Sequence, residues 1–290
     1  MKLVILGLGY TAGFYAAGFT NEFTSVHGSV RTPKAESVGR VRLLPFDSTD
    51  ETVDPRLIAA LEGADCLLVS AGPDQYGDPV LRRLASTIAT APKLKRIVYL
   101  STIGVYGDRG GARVDETAAL EPVSARSANR VEAETAWRLL AEANHKTLYI
   151  LRLSGIYGPG RNVLVNLRAG VARRLVKPGQ VFNRIHVADI GRAIEKCFLG
   201  AAPAGVYNVT DNEPAPPQDV IAYAAELMGI VPPPEQDFAT AVLTPMARSF
   251  YGENKRVSNV KTRDILDVTP QFPTYREGLA ALWASGEGRT

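Results

Sequence analysis

KLVILGLGYTAGFYAA, residues 2–17, decides how the rest of this chain is read. A Val/Ile/Leu run (2–6) enters Gly7-Leu8-Gly9-Tyr10-Thr11-Ala12 and continues as an apolar helix. An unbroken apolar run, in place of strict alternation, is the pattern of a strand buried on both faces. In a G-x-G-x-x-A turn set between strand and helix, each small residue has a task. Gly7 permits the tight turn, Gly9 lets a pyrophosphate approach the backbone, and Ala12 keeps the helix close to the strand. The first helical turn, including Tyr10 and Thr11, then offers free N–H groups at the positive end of the helix dipole. The same spacing also serves a plain strand–helix turn, but this context favours a bound dinucleotide. The glycines also interrupt the apolar run before it reaches the length of a signal-peptide core.

Working outward, further buried-strand patterns occur at 24–31, 40–46, 65–71, 95–102 and 147–154. Helical patterns over 10–22, 54–62, 79–90 and 125–143 separate most of them. Such alternation predicts an α/β fold, a Rossmann-type doubly wound parallel sheet covered on both sides. Past residue 160 the character changes: ten of the 19 prolines follow residue 200, and helical pieces (187–199, 217–228, 274–285) lack strands of similar strength. The expected division is a dinucleotide-binding domain over 1–160, with sheet elements returning near 180–210. A small, mostly helical C-terminal subdomain over 161–290 covers the substrate side without being an independent unit.

Composition narrows the function. The 290 residues are 46% hydrophobic and 22% charged, with a net charge of +3. That is an ordinary globule, with too little charge to argue for nucleic acid or a membrane surface. No run approaches the ~20 apolar residues of a membrane span. Cys66 and Cys197 sit far apart in apolar surroundings with no CxxC pair and no histidine cluster. They read as buried free thiols in a cytoplasmic protein, with no metal site. The expected partner is a small-molecule substrate.

The second strand ends GSVRTPK (28–34). An NAD site usually places an acid there for the ribose 2′-hydroxyl, whereas Arg31 and Lys34 suit the 2′-phosphate of NADP. NADP is therefore expected in preference to NAD. Asp47, ending the third strand, is placed either at the adenine edge or as a turn cap.

STIGVYGD (101–108), RLSGIYGPGRN (152–162), RIHVADI (184–190) and GVYNVTDNEP (205–214) then follow in order. With the glycine turn, they resemble the extended short-chain dehydrogenase/reductase superfamily, which contains sugar-nucleotide epimerases and dehydratases. The closing segment, ENKRVSNVK (253–261) with PTYREGL (273–279), is similar to an atypical epimerase-like branch. The resemblance implies that Thr102 orients substrate and that Ser70, Ala71 and Gly72 run beside the nicotinamide ribose. It also implies that the loop from Ser154 to Arg161 borders nicotinamide and substrate. His186 and Asp189 match a motif that caps a helix and docks the C-terminal subdomain. Helices 79–90 and 125–143 correspond to those through which relatives form homodimers.

One departure matters more. At the superfamily's spacing, 126 − 102 = 24, Arg126 stands where the catalytic tyrosine belongs, and Arg130 falls on its partner lysine. An arginine, with a pKa above ~12, is neither acid nor base at neutral pH. Arg130 can hold ribose hydroxyls and Arg126 can clamp an anionic substrate group. As a plain solvated face, the pair would instead leave Arg130 ion-paired with Glu134. Tyr106, Tyr76 and Tyr157 are the substitute proton donors, Tyr106 foremost by position. Two functions are therefore expected: an NADP(H)-dependent oxidoreductase or epimerase on a polar, anionic small molecule, or a non-catalytic NAD(P)-binding redox sensor.

Overall fold

The computed structural model describes residues 1–200 and 202–289. The first half runs β1 (Lys2–Leu6), α1 (Tyr10–Gly18), β2 (Ser25–Val30), β3 (Ser37–Val38), β4 (Val41–Pro45), α2 (Pro55–Glu62) and β5 (Cys66–Val69). It continues α3 (Pro79–Thr90), β6 (Arg96–Thr102), a 3₁₀ turn (Ile103–Tyr106), β7 (Arg113–Val114), α4 (Ala125–Ala143) and β8 (Thr147–Leu153). These bounds fall within a few residues of those the periodicity predicts.

The main sheet has the order β12-β8-β6-β5-β1-β2-β4-β3, where β12 is Gly205–Val209. Its pairings are parallel except at β3, which runs antiparallel to β4. The chain reverses direction between β1 and β5, which opens the ligand crevice at the carboxyl ends of those strands. Alternate residues of β1 face opposite layers. Leu3 and Ile5 pack with Tyr15 of α1 and with Ile190 and Phe198 of a later helix. Val4 and Leu6 pack with Leu57 of α2, Leu84 of α3 and Trp137 of α4. Trp137 is fully buried, and its indole donates to Asp78 Oδ2 at 3.0 Å. The other oxygen of Asp78 caps α3 through the amides of Val80 and Leu81. Truncating such a residue to alanine costs ~3–5 kcal/mol.

The second half runs β9 (Gly155–Tyr157), α5 (Val163–Arg168), β10 (Arg174–Val176), β11 (Arg184–His186), α6 (Val187–Leu199) and then β12. It ends α7 (Pro217–Met228), β13 (Glu235–Asp237), α8 (Pro245–Phe250), β14 (Arg256–Val257), α9 (Val260–Asp264) and α10 (Tyr275–Ala284). β12 joins the central sheet beside β8, so the sheet draws a strand from a region the apolar pattern leaves weak. Only its last three residues are buried, as befits an edge strand. The 105–123 connection, which shows no element by sequence, is stapled to the C-terminal segment. β7 pairs with β14, and the amides of Arg109 and Gly111 both donate to Asn254 O. Gly107 there adopts φ +67°, and a Cβ would meet Glu121 O, so only glycine fits that turn.

Candidate active site

The glycine turn is built from backbone. Gly7 adopts φ +90°, and a Cβ on it would lie 2.7 Å from the amide nitrogen of Ala71. Ser29 Oγ accepts the Gly7 amide at 2.9 Å, and Ser29 O accepts the amide of Leu8 at 2.8 Å, which locks the turn onto β2. Gly9 is the N-cap of α1, and no side chain caps that helix. A Cβ on Gly9 would meet nothing within 4 Å, so the space before the helix is open. An uncapped helix end facing open space is what a diphosphate needs, and these residues fit one.

The segment Ser70–Gly72 lies beside this turn, with the amides of Ser70 and Ala71 both donating to Leu6 O. Arg130 closes it from the other side. Its Nη1 donates to the Tyr99 hydroxyl and to Leu100 O, both at 3.0 Å. A Cβ on Gly72 would come within 2.9 Å of its Nη2. Gly7, Ala71, Gly72 and Arg130 thus form one wall. Tyr10 leans across the turn: its hydroxyl donates to Pro159 O at 3.0 Å, and the Arg161 guanidinium lies over its ring at 5.5 Å. The loop after β8 therefore meets the glycine turn. Ser154 within it is buried and donates to Val209 O at 3.3 Å.

Arg31 and Lys34 are exposed past the end of β2. Asp47 caps its own turn, accepting the amide and hydroxyl of Thr49 at 2.9 and 2.8 Å. Those bonds, with the nearby Arg31 charge as a smaller cause, hold its carboxyl below the usual range.

On the substrate side, α4 begins at Ala125 with Ser124 as N-cap, which puts Arg126 in its first turn. Arg126 is exposed, and its guanidinium lies 6.0 Å from the ring centroid of Phe250. Thr102 is half-buried and caps the 3₁₀ turn, accepting the Gly104 amide at 3.1 Å. Beside it stands Ser127, a residue the sequence reading does not single out. A Cβ on Gly104 would lie 2.8 Å from Ser127 Oγ and 3.5 Å from Thr102 Oγ1, so both hydroxyls flank one small space. The S-x-x-S spacing of Ser124 and Ser127 at a helix start was the available signal.

Two of the three candidate tyrosines are placed differently from expectation. Tyr106 is fully buried, with its hydroxyl bonded to Asn208 Oδ1 at 2.7 Å and to Arg152 Nη1 at 2.9 Å. The phenol faces these interior partners, and burial pushes its pKa up. Tyr157 is also turned inward, packed so closely that a Cβ on Gly278 would overlap its hydroxyl. Tyr76 is 73% exposed, on a loop pinned where Asn129 of α4 donates to Asp74 O at 2.7 Å.

Glu134 does not pair with Arg130. It is fully buried and takes Arg152 through two bonds, Nε–Oε1 at 3.1 Å and Nη2–Oε2 at 2.7 Å, with Ser101 Oγ donating at 2.6 Å. A charged residue inside the apolar strand TLYILRL needs such a partner. His186 caps α6 through the Ala188 amide, and Asp189 accepts the amides of Gln271 and Phe272 at 2.6 and 3.1 Å.

A family model described as NAD dependent epimerase/dehydratase matches residues 80–209. The structure of a functionally unknown conserved protein from Silicibacter pomeroyi DSS is 43% identical, with 99% of each chain covered and a TM-score of 0.87. A 3-diazoavenalumate denitrifying reductase of Streptomyces sp is 27% identical, over 88% of this chain and 89% of that one. The UDP-glucuronic acid 4-epimerase of Bacillus cereus, solved with NAD, shares the fold at 18% identity, with 97% of each chain covered and a TM-score of 0.73. Residues 80–209 thus match the NAD-dependent epimerase/dehydratase family model, and the chain shares the fold of the epimerases solved with NAD. The described residues contain no helix long and apolar enough to cross a membrane.

Proposed function

We propose that this chain is an NADP(H)-dependent oxidoreductase, or an epimerase-like enzyme, acting on a polar, anionic small molecule. The observation that carries the reading is the uncapped N-terminus of α1, set at an open glycine turn and walled by Ala71, Gly72 and Arg130. A nicotinamide dinucleotide bound there supplies or accepts a hydride at the substrate carbon. The α1 amides hold the diphosphate, while Arg31 and Lys34 favour the 2′-phosphate. Arg130 donates to ribose hydroxyls as a permanent cation. Thr102, with Ser127 beside it, donates a hydrogen bond to the substrate oxygen. Arg126 clamps an anionic group at the mouth of the cleft. With Tyr106 and Tyr157 turned inward, the proton comes from water or from Tyr76.

A second reading, a non-catalytic NAD(P)-binding redox sensor, is supported by one sequence feature: at the spacing the resemblance implies, Arg126 falls where the acid–base tyrosine is expected. Titration with NADPH and NADH, followed by turnover against a carbonyl panel, separates the two. Tighter NADPH binding with turnover supports the enzyme, binding without turnover supports the sensor, and no binding defeats both. The Arg126→Tyr variant sharpens the test, because a gain of activity on common aldehydes would show that the arginine silences the ordinary mechanism.

A further inference from the structure

Arg184 is a cation that the protein leaves incomplete. It sits on β11, which pairs in parallel with β9 directly after the long strand β8. Its Nη1 is pinned by Phe182 O at 2.9 Å and Ala215 O at 3.1 Å. Its Nε and Nη2 make no hydrogen bond among the described residues, and neither is sealed from solvent. No described carboxylate lies within the 4.0 Å of an ion pair. A guanidinium held in a half-buried, aromatic setting without a counter-ion is costly, and native structures seldom leave one so.

Its surroundings are equally unfinished. The guanidinium carbon is 6.0 Å from the ring centroid of Phe182 and 5.9 Å from that of Tyr275. Phe182 meets Tyr251 edge-on at 5.1 Å. Asp211 lies beside Arg184, its amide donating to Arg184 O at 2.7 Å. Asp211 Oδ2 and the Tyr275 hydroxyl are both buried with no partner. Unsatisfied buried groups are rare, and two on residues neighbouring one incompletely bonded guanidinium point to a missing group that completes the bonding. Tyr251, which packs on Phe182, directly follows Phe250, the ring beneath Arg126, in the chain.

The Nε/Nη2 edge of a guanidinium presents two parallel donors matched to the two oxygens of a carboxylate. The flanking rings of Phe182 and Tyr275 suit a flat group better than a tetrahedral phosphate. We propose that Arg184 is the anion seat of the substrate cleft, and that the substrate is an organic carboxylate whose CO₂⁻ docks on the Nε/Nη2 edge between Phe182 and Tyr275. Tyr275 donates to the same carboxylate. The inference rests on the oxidoreductase reading for the word substrate, while the seat itself stands on geometry alone.

The test uses the full chain and three probes: 4-hydroxycinnamate, its methyl ester and phenyl phosphate, each titrated by calorimetry with and without NADP⁺. The acid is expected to bind at least about tenfold more tightly than the ester, and more tightly than phenyl phosphate. Arg184→Gln is expected to erase the acid-over-ester preference, while Arg184→Lys keeps part of it. Thermal melts of both variants confirm that they fold. Equal binding of acid and ester, no saturable binding of the acid, or a preference that survives in Arg184→Gln overturns the seat. Stronger binding of phenyl phosphate overturns the carboxylate assignment. NADP⁺ binding is scored separately, so its absence alongside an intact acid preference defeats the dinucleotide reading and spares the seat.

Discussion

Two arginines with a buried carboxylate nearby, Arg152 with Glu134 and the half-buried Arg184 with Asp211, differ in completeness. Glu134 and Arg152 form a closed unit: two direct bonds, with Ser101 on one oxygen and Tyr106 on the guanidinium. Arg184 and Asp211 stand near each other without pairing, and each retains unpartnered atoms. A closed couple satisfies itself and fixes the joint between β6, α4 and β8. An open couple leaves bonding capacity for a ligand. Burial alone does not separate structural charge from functional charge, but completeness of bonding does.

The largest effect expected from breaking this comparison lies in the closed couple. Glu134→Ala leaves Arg152 buried and unpaired and should cost ~3–5 kcal/mol, read as a lowered urea midpoint. A loss below ~1 kcal/mol would mean that the joint is held by packing instead.

The open couple should reveal itself through pH. Burial raises the Asp211 carboxyl to about 8, with Arg184 opposing and Glu213 and Asp189 adding to the rise. An unfolded aspartic acid titrates near ~3.9. Between those values the folded state holds a proton that the unfolded state has released, so stability falls as pH rises from ~4 through about 8. Asp211→Asn should flatten that slope in urea melts taken across the window.

His186 should slope the other way, and less. Burial pushes its pKa down to about 4, against ~6.5 when unfolded. Stability is then present above ~6.5 and lost as pH falls through about 4. His186→Asn, which keeps a capping acceptor for the Ala188 amide, should flatten the acid limb only.

Arg184→Met should have the smallest effect, below ~1 kcal/mol or slightly stabilising. The carbonyls that hold Nη1 already accept backbone amides, Phe182 O from Ala215 and Ala215 O from Phe182. A loss of several kcal/mol would show that Arg184 is structural and would erase the contrast with Arg152.

Much of the fold was legible because its signals are local. Buried-strand runs, helical periodicity and turn glycines each act over a few residues, and β1, α3, α4, β8 and α6 follow them closely. The glycine turn was legible for the same reason, since its function lies in the backbone. The side-chain half of the site was less so. Arg130 reaches the Gly72 backbone, but Tyr106 rotates inward to Asn208, 102 positions away. Glu134 passes over Arg130, four positions off, to reach Arg152 across the sheet. The i, i+4 neighbour on a helix is only the nearest candidate, and a buried cation in β8 outcompetes a half-exposed one because its need for a partner is greater.

By itself the sequence determined the layered sheet, the direction of its strands and the place of the glycine turn. Those follow from short-range sterics and from the period at which apolar residues recur. Only the tertiary structure decided which charges close on each other and which stay open, which tyrosines turn inward, and that Ser127 stands beside Thr102. Such pairings join residues 18 to 102 positions apart, and their energies depend on burial and geometry that exist only once the layers have packed.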